Sequence, residues 1–269
     1  MPKTILITGS TDGIGLETAK MLVLKGHTVL LHGRNPTKLE ATEKSLAALP
    51  GDGQVERYMA DLSRMVNVEA LTKAVTEQHT ELDVLINNAG VYNASNPITQ
   101  DGLDVRFAVN AIAPYLLTKR LSPLLGTSGR VVNLSSAAQS PVNLQALTGQ
   151  VSLSDGAAYA QSKLALTTWS RSLALSLKDD GPAIIAVNPG SLLGSKMVKQ
   201  AFGIAGGDIR IGAEILVRAA LTDEFAAASG KYFDNDEGQF AAPHSDALEP
   251  QKSQAIVNAI ETVLAVTMQ

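Results

Sequence analysis

A tyrosine and a lysine four positions apart are the residues of this sequence best suited to chemistry. Tyr159 and Lys163 lie within a helical pattern over residues 157–177, and this spacing places both side chains on one helical face, one turn apart. A phenol with a pKa of about 10 is a poor acid or base at neutral pH, but a neighbouring ammonium lowers that pKa. The pair therefore suits proton transfer at a substrate oxygen. Two solvated residues on a surface helix are the alternative interpretation.

A glycine cluster near the start of the chain is the second chemical signal. Gly9, Gly13 and Gly15 follow an apolar run at residues 5–7 and precede a helical pattern. In such a strand, turn and helix, glycines let the backbone approach a pyrophosphate, and the positive end of the helix holds its charge. No Gly-Lys-Ser/Thr sequence ends the cluster, which excludes the phosphate loop of nucleotide hydrolases. A turn without a ligand is the alternative.

The elements that must position these residues alternate along the whole chain. Strand-like runs rich in Val, Ile and Leu, with helices between them, indicate a parallel sheet covered on both faces. Right-handed crossovers then predict a doubly wound, Rossmann-like α/β fold of about seven strands, which binds its ligand beyond the carboxyl ends of the strands. Strands are predicted at residues 5–7, 27–32, 55–59, 82–86, 130–134, 183–187 and 231–233, and helices from 36, at 65–79, 104–111, 115–125 and 157–177, and from 249.

No repeat, linker or change of composition divides the chain, which predicts a single domain over residues 1–269. Two irregular stretches, 137–156 and 191–212, are expected to act as substrate loops, because long irregular segments in a compact domain are usually functional. Apolar residues in both loops favour a hydrophobic substrate pocket. A helical extension over residues 249–268 is amphipathic and is expected to pack on the core.

Composition excludes several classes of function. The net charge is −4 without a basic run, so no nucleic-acid partner is predicted. Cysteine is absent, which excludes disulfides, thiolate metal sites and thiol nucleophiles. The four histidines lack ligand spacing, so no metal is expected and each is interpreted as solvated or partly buried surface. Without a leader or an apolar stretch of about 18 residues, the sequence predicts a soluble, cytoplasmic protein with no membrane partner.

Six motifs in one order resemble those of the short-chain dehydrogenase/reductase family, in its short, non-extended type. The resemblance covers residues 3–235, and the loop pattern is nearest to the retinol dehydrogenase-like and carbonyl reductase branches. It implies an oxidoreductase that moves a hydride between a nicotinamide cofactor and a carbonyl/alcohol pair. The motifs are Gly9-x-x-x-Gly13-x-Gly15, Asp61-Leu62, Asn87-Asn88-Ala89-Gly90, Ser136, Tyr159-x-x-x-Lys163 and Pro189-Gly190.

The resemblance implies four catalytic positions. Tyr159 would be the acid/base at the substrate oxygen, and Lys163 would lower its pKa and bind the nicotinamide ribose. Ser136 would hydrogen-bond the substrate, whereas the neighbouring Ser135 is expected to cap local backbone. Asn110 matches the asparagine that kinks a helix in this family and holds a water linking the lysine to solvent. Its alternative is a polar helix residue that bonds its own backbone.

The resemblance also implies a cofactor site. Asp61 would accept a hydrogen bond from the adenine amine, residues 88–90 would line the adenosine ribose, and Pro189-Gly190 would abut the nicotinamide. The residues expected to bind the cofactor are Gly9, Ser10, Asp12, Gly13, Ile14, Gly15, Arg34, Asn35, Asp61, Leu62, Asn88, Ala89, Gly90, Tyr159, Lys163, Pro189 and Gly190.

The type of cofactor depends on the end of the second strand. A carboxylate there would bind both ribose hydroxyls and repel a 2′-phosphate. This sequence has Gly33 instead, followed by Arg34, whose guanidinium suits a phosphate. NADP(H) is therefore predicted. Asp12 weighs against it, because many NADP-preferring members carry a basic residue at that position.

Three alternatives stay open from the sequence. An NAD-dependent alcohol dehydrogenase of the same family would leave Arg34 as a solvated surface charge. A non-catalytic dinucleotide-binding regulator is disfavoured because Tyr159, Lys163, Ser136 and Asn110 are all present. The substrate is expected to be a hydrophobic ketone or aldehyde, and the family commonly pairs its two long helices into a homo-oligomer, a dimer or a tetramer.

Overall fold

Eight strands form one sheet in the computed structural model, which describes all residues from 1 to 269. The order is β3-β2-β1-β4-β5-β6-β7-β8, with every pair parallel except the antiparallel β7 and β8. This arrangement confirms the predicted doubly wound α/β fold. The strands are β1 (Thr4–Ile7), β2 (Thr28–Gly33), β3 (Gln54–Met59), β4 (Val84–Asn87), β5 (Arg130–Leu134), β6 (Ala183–Asn188), β7 (Tyr232–Asp234) and β8 (Gln239–Ala241).

Helices cover both faces of the sheet, which is why the central strands are apolar at successive positions. Ile5 and Ile7 point into the core on one face and Leu6 into the core on the other, because strand side chains alternate. The helices are α1 (Gly13–Leu24), α2 (Pro36–Ala47), α3 (Met65–Gln78), α4 (Val105–Phe107), α5 (Ala113–Leu125), α6 (Leu144–Leu147), α7 (Asp155–Leu177), α8 (Lys196–Phe202), α9 (Ile209–Leu221), α10 (Asp223–Ala226) and α11 (Pro250–Thr267), with a 3₁₀ turn at Ser245–Leu248.

The structure differs from the predicted elements in four places, the first being that helices α9 and α10 were not predicted. The helices predicted at 104–111 and 115–125 form one continuous run, because a π-helical turn at Ala108–Ile112 joins α4 to α5. An eighth strand, β8, follows the acidic turn after β7; its three residues are too few to show a periodic pattern. The stretches 137–156 and 191–212 are not wholly irregular, since they contain α6 and α8.

The middle of helix α7 is enclosed by other elements. Its residues 162–170 are buried without exception, because the sheet, the π-helical turn and α11 all pack against it. The indole of Trp169 donates to the carbonyl of Ala111 at 3.1 Å. On α11, Glu261 accepts hydrogen bonds from Tyr115 and Lys119 of α5. The C-terminal extension thus lies against α5 and α7, the two long helices that the family commonly pairs. The oligomer stays a prediction. None of the helices has the length and apolar character needed to cross a membrane.

Candidate active site

The predicted site residues gather at one edge of the sheet. The glycine cluster follows β1, residues 88–90 follow β4, Ser136 follows β5 and Pro189-Gly190 follow β6. The strand order reverses direction between β1 and β4, and open α/β sheets bind ligands in the crevice at such a point. Four segments far apart in sequence therefore border one crevice.

The phenol of Tyr159 lies beside Ser136 in this crevice. Burial raises the pKa of Tyr159, a hydrogen bond with Ser136 opposes this rise, and the neighbouring Tyr92 adds to it. The hydroxyl of Ser135 shares a buried hydrogen bond of 2.6 Å with the Thr167 hydroxyl of α7, so the expectation that it caps local backbone is wrong. Of the two adjacent serines, Ser136 is therefore the one available to a substrate.

Lys163 approaches the same place from the core side. Its side chain is 4% exposed, and Nζ donates to the carbonyl of Leu134 at 2.7 Å. Nζ lies 5.6 Å from the ring centre of Tyr159. Burial lowers the pKa of Lys163 to about 8, because a desolvated ammonium is unfavourable without a carboxylate. The ammonium has one protein acceptor for three N–H donors, which leaves donors for the hydroxyls of a ligand.

Asn110 connects the segment after β4 to α7. It lies in the π-helical turn, a feature that is frequent at functional sites. Its Nδ2 donates to the carbonyl of Val91 at 2.9 Å and to the hydroxyl of Ser162 at 3.0 Å, and its Oδ1 accepts from the Val91 amide at 2.8 Å. The side chain thus bonds other segments and not its own helix backbone. Its water-holding role stays a prediction.

The glycine cluster forms a tight turn against Asn88. Gly9 has φ +65°, and a Cβ on Gly15 would lie 2.4 Å from Asn88 Nδ2. This Nδ2 donates to the carbonyls of Thr8 and Gly9 at 2.9 and 3.1 Å, so Asn88 braces the turn itself. The amides of Ile14 and Gly15 have no acceptor within the chain. Free amides at a helix N-terminus fit a pyrophosphate.

His32 was expected to lie at the surface, and this expectation is wrong. It is 3% exposed, its Nδ1 accepts from the Gly9 amide at 3.1 Å, and its Nε2 is 3.1 Å from the carbonyl of Ala60. Burial lowers its pKa to about 4, which keeps the imidazole neutral. Ser10 bonds the backbone of His32 through its hydroxyl and is itself buried. The imidazole joins the glycine turn to the segment that carries Asp61.

Charged residues surround the far end of the crevice. Arg34 is exposed and makes no ion pair, and Asn35 caps α2 by accepting from the Lys38 amide at 2.9 Å. Asp12 accepts from the Gly13 amide at 2.8 Å and pairs with Lys38 Nζ at 2.5 Å. The hydrogen bond from Lys38 is the main cause that lowers the pKa of Asp12. Sequence reasoning missed Lys38, although a lysine in the first turn of the helix after Arg34 was a usable signal.

The Asp61 segment contributes one carboxylate to the crevice. Oδ1 of Asp61 accepts from the Ser63 amide at 3.0 Å, and the side chain is half-buried. Leu62 is 4% exposed and belongs to the hydrophobic core. A cofactor contact of Leu62 is therefore restricted to its main chain.

The loop after β6 is held by the turn between β7 and β8. Asp236 accepts from both the amide and the hydroxyl of Ser191, at 2.8 and 2.6 Å, and from Asn188 Nδ2 at 2.9 Å. Asn235 donates to the carbonyl of Pro189 at 2.9 Å. Gly190 between them has φ +121°. The acidic turn thus fixes Pro189-Gly190, a role that its composition alone did not indicate.

Helix α8 lies over the crevice and has no buried residue. Ser195 caps it by accepting from the Val198 amide at 3.2 Å, which gives this serine a structural role. A Cβ on Gly90 would lie 3.6 Å from Met197 Cε and 3.7 Å from Lys163 Nζ. The first turn of α8 therefore reaches the same space as the ammonium.

Known proteins match this chain in sequence and in fold. The sequence model described as short chain dehydrogenase matches residues 3–203. Human retinol dehydrogenase 13 is 30% identical over 263 residues, which cover 91% of this chain and 80% of that protein.

Two solved structures have the same architecture. An uncharacterised protein of Mycobacterium paratuberculosis has a TM-score of 0.80 at 26% identity, covering 98% of this chain and 93% of its own. A short chain dehydrogenase from Burkholderia cenocepacia in complex with NADP has a TM-score of 0.70 at 25% identity, covering 88% of this chain and 97% of its own.

Proposed function

Since this chain belongs to the short-chain dehydrogenase/reductase family, we propose that it moves a hydride between NADP(H) and a hydrophobic carbonyl/alcohol pair. The observation that supports this most is the meeting of Ser136, Tyr159 and Lys163 at the crevice, each contributed by a segment that the core holds in place. We also expect a cytoplasmic location and a single functional domain.

The residues divide the proton chemistry among themselves. Ser136 donates a hydrogen bond to the carbonyl oxygen and orients it toward Tyr159. In reduction, the phenol of Tyr159 gives its proton to that oxygen as the alcohol forms; in oxidation, the phenolate takes it back. The ammonium of Lys163 stabilises the phenolate and binds ribose hydroxyls through its free donors. NADP(H), when bound, supplies or accepts the hydride.

Three features near the adenosine end support NADP(H) over NAD(H). A Cβ on Gly33 would lie 2.8 Å from Thr11 Cγ2, so a ribose-binding carboxylate at this position would require the Thr11 side chain to move. Arg34 is exposed and free of carboxylates, which leaves its donors for a 2′-phosphate. Asp12, the residue that weighed against NADP, is neutralised by Lys38 at 2.5 Å. The Burkholderia protein in complex with NADP agrees with this choice.

A titration of the purified protein with NADPH and with NADH, followed by nucleotide fluorescence, tests this proposal. We expect tighter binding of NADPH and a loss of about 10- to 100-fold in NADPH affinity for Arg34→Ala, with little change for NADH, because a charged hydrogen bond is lost. Arg120→Ala is the matched control, since Arg120 of α5 is an exposed arginine paired with Glu69 of α3.

Each alternative has its own outcome in this experiment. Preference for NADH would support the NAD-dependent alcohol dehydrogenase and overturn the role of Arg34. Binding of NADPH without turnover of any carbonyl in a broad panel would support the regulator. If the folded protein binds neither NADPH nor NADH, the assignment of a nicotinamide cofactor is refuted.

A further inference from the structure

Three aromatic rings lead from the reacting phenol to the surface. The ring centre of Tyr92 lies 4.9 Å from that of Tyr159 and 5.6 Å from that of Phe202, with interplanar angles of 46° and 59°. The rings come from α7, from the stretch after β4 and from the last residue of α8. The side chain of Phe202 is 51% exposed, although large apolar rings gain most from burial. An exposed ring in this row is available to a ligand.

The main chain of Tyr92 is anchored by a hydrogen bond, whereas Phe202 ends a helix that has no buried residue. The carbonyl of Tyr92 accepts from Arg106 at 3.4 Å. The guanidinium of Arg106 is buried and binds Asp104, at 2.6 and 2.8 Å, and Asp155, the first residue of α7. This ion cluster, in which Arg106 and Asp104 are buried and Asp155 is partly exposed, joins the main chain of Tyr92 to the start of α7. Phe202 belongs to a helix without a buried residue, so it moves without disrupting the core.

We propose that Tyr92 and Phe202 form an aryl subsite, and that the substrate carries an aromatic ring next to its carbonyl carbon. The proposal rests on the proposed function and names its substrate class. Tyr92 contacts the ring of Tyr159, so a substrate ring packed on Tyr92 places the adjoining carbonyl toward the Tyr159 hydroxyl and Ser136. Phe202 covers the other face of that ring.

The spacing of the rings favours a flat substrate group. A ring in contact with both neighbours needs about 7 Å between them, twice the contact distance of carbon atoms. The present 5.6 Å is shorter, so Phe202 shifts outward as the substrate enters. A planar ring requires the smallest shift, and each aromatic contact increases affinity about two- to tenfold beyond simple burial.

Acetophenone and cyclohexyl methyl ketone test the proposal, because they share a methyl ketone and differ in the ring. We would measure kcat/KM for both at saturating NADPH, with the wild type, Tyr92→Leu and Phe202→Leu. For each protein we would take the ratio of kcat/KM for acetophenone to kcat/KM for cyclohexyl methyl ketone. Dividing this ratio by the wild-type ratio removes the intrinsic reactivity of each ketone. We expect this ratio to fall two- to tenfold in each leucine variant, with NADPH affinity unchanged.

Two controls separate the ring from other effects. Tyr92→Phe keeps the ring and should keep the ratio. Ile204→Ala removes an exposed apolar side chain two positions beyond Phe202 and should lower both ketones equally. If Ile204→Ala changes the ratio as much as the leucine variants do, general apolar contact and not ring stacking explains the effect, and the subsite is refuted.

The remaining outcomes distinguish this inference from the proposed function. Turnover of both ketones with an unchanged ratio in both leucine variants overturns the aryl subsite and leaves the reductase intact. If neither ketone is turned over, their affinities for the NADPH complex are measured by quenching of nucleotide fluorescence, and equal affinities overturn the subsite. Failure to bind NADPH overturns both proposals.

Discussion

The two halves of the crevice are built differently. The half that borders the glycine turn is held by partly buried hydrogen bonds: His32 accepts from the Gly9 amide, and Asn88 donates to two carbonyls of the turn. The other half is covered by α8, and no residue of that helix is buried. The comparison indicates that the geometry for the cofactor is fixed by the fold, while the space for the substrate is bordered by a segment that adjusts.

The reacting group lies at the boundary between these halves. Tyr159 projects from α7, which is enclosed by the sheet, the π-helical turn and α11, yet its phenol faces the space under α8. The position of the phenol is therefore as fixed as the half that borders the glycine turn. The substrate that reaches the phenol is selected by the adjustable half, which α8 covers. Removing the Tyr159 hydroxyl should therefore separate cofactor binding from proton transfer more sharply than any other change.

We expect Tyr159→Phe to lower kcat by a factor of about 10² to 10⁴, because the proton donor is lost. NADPH affinity should stay within about twofold, since the ring and Lys163 remain. Steady-state NADPH oxidation with an active ketone measures the first quantity and nucleotide fluorescence the second. Tyr115→Phe, which removes a hydroxyl bound to Glu261 on another helix, should keep its turnover. Full activity of Tyr159→Phe would assign the proton to another group.

The parts of this site that sequence predicted are those carried by contiguous residues. A strand, a glycine turn and a helix follow one another along the chain, and so do Tyr159 and Lys163 along α7. The doubly wound sheet was equally predictable, because apolar runs alternate with helical patterns. These signals are local, and the structure confirms the fold that they indicate.

The parts that sequence did not predict depend on contacts between distant residues. Register places His32 beside the glycine turn, since Ile7 pairs with Leu31. Asp236 reaches Ser191 only because β7 lies beside β6. A single polar residue carries no periodic pattern, so its partner is unknown until the strands are paired.

His32 offers a direct test of the braced half. Its pKa of about 4 lies below its ordinary value of 6.5 because of burial, with the hydrogen bond to the Ala60 carbonyl and the charge of Asp61 opposing the shift. The fold therefore favours the neutral imidazole, whose contribution is complete above pH 6.5 and is lost as pH falls toward 4. We expect this residue to account for about 2 kcal/mol of unfolding free energy lost between pH 7 and pH 5.

Urea unfolding at both pH values, with the wild type and His32→Asn, measures this loss. The variant has no imidazole to protonate. Between pH 7 and pH 5 its free energy of unfolding should therefore fall by about 2 kcal/mol less than that of the wild type. His244→Asn is the control, because this histidine caps the 3₁₀ turn at Ser245–Leu248 and makes no hydrogen bond to the glycine turn. Equal pH dependence in the wild type and His32→Asn would show that the imidazole does not brace the turn.

Lys163 should give the crevice a pH dependence at the opposite end of the range. Burial lowers its pKa to about 8, so the ammonium is present below that pH and is lost above it. In the direction of reduction, kcat/KM for NADPH, which reports the free protein, should decline above pH 8, approaching tenfold per pH unit. Lys163→Arg retains its charge and should flatten this decline. If kcat/KM of the variant declined above pH 8 as steeply as that of the wild type, the decline would belong to a different group.

The smallest expected effect concerns the caps of two helices. Ser195 caps α8, which has no buried residue, and Asp208 caps α9, which buries Ile215 and Leu216. Loss of a cap costs about 1 kcal/mol when the helix is part of the cooperative core. Asp208→Ala should show that loss in urea unfolding, while Ser195→Ala should change global stability by less than about 0.5 kcal/mol, because α8 opens before the core unfolds. An equal loss in both variants would mean that α8 is as firmly attached as α9, and the adjustable half of the crevice would then have to be sought elsewhere.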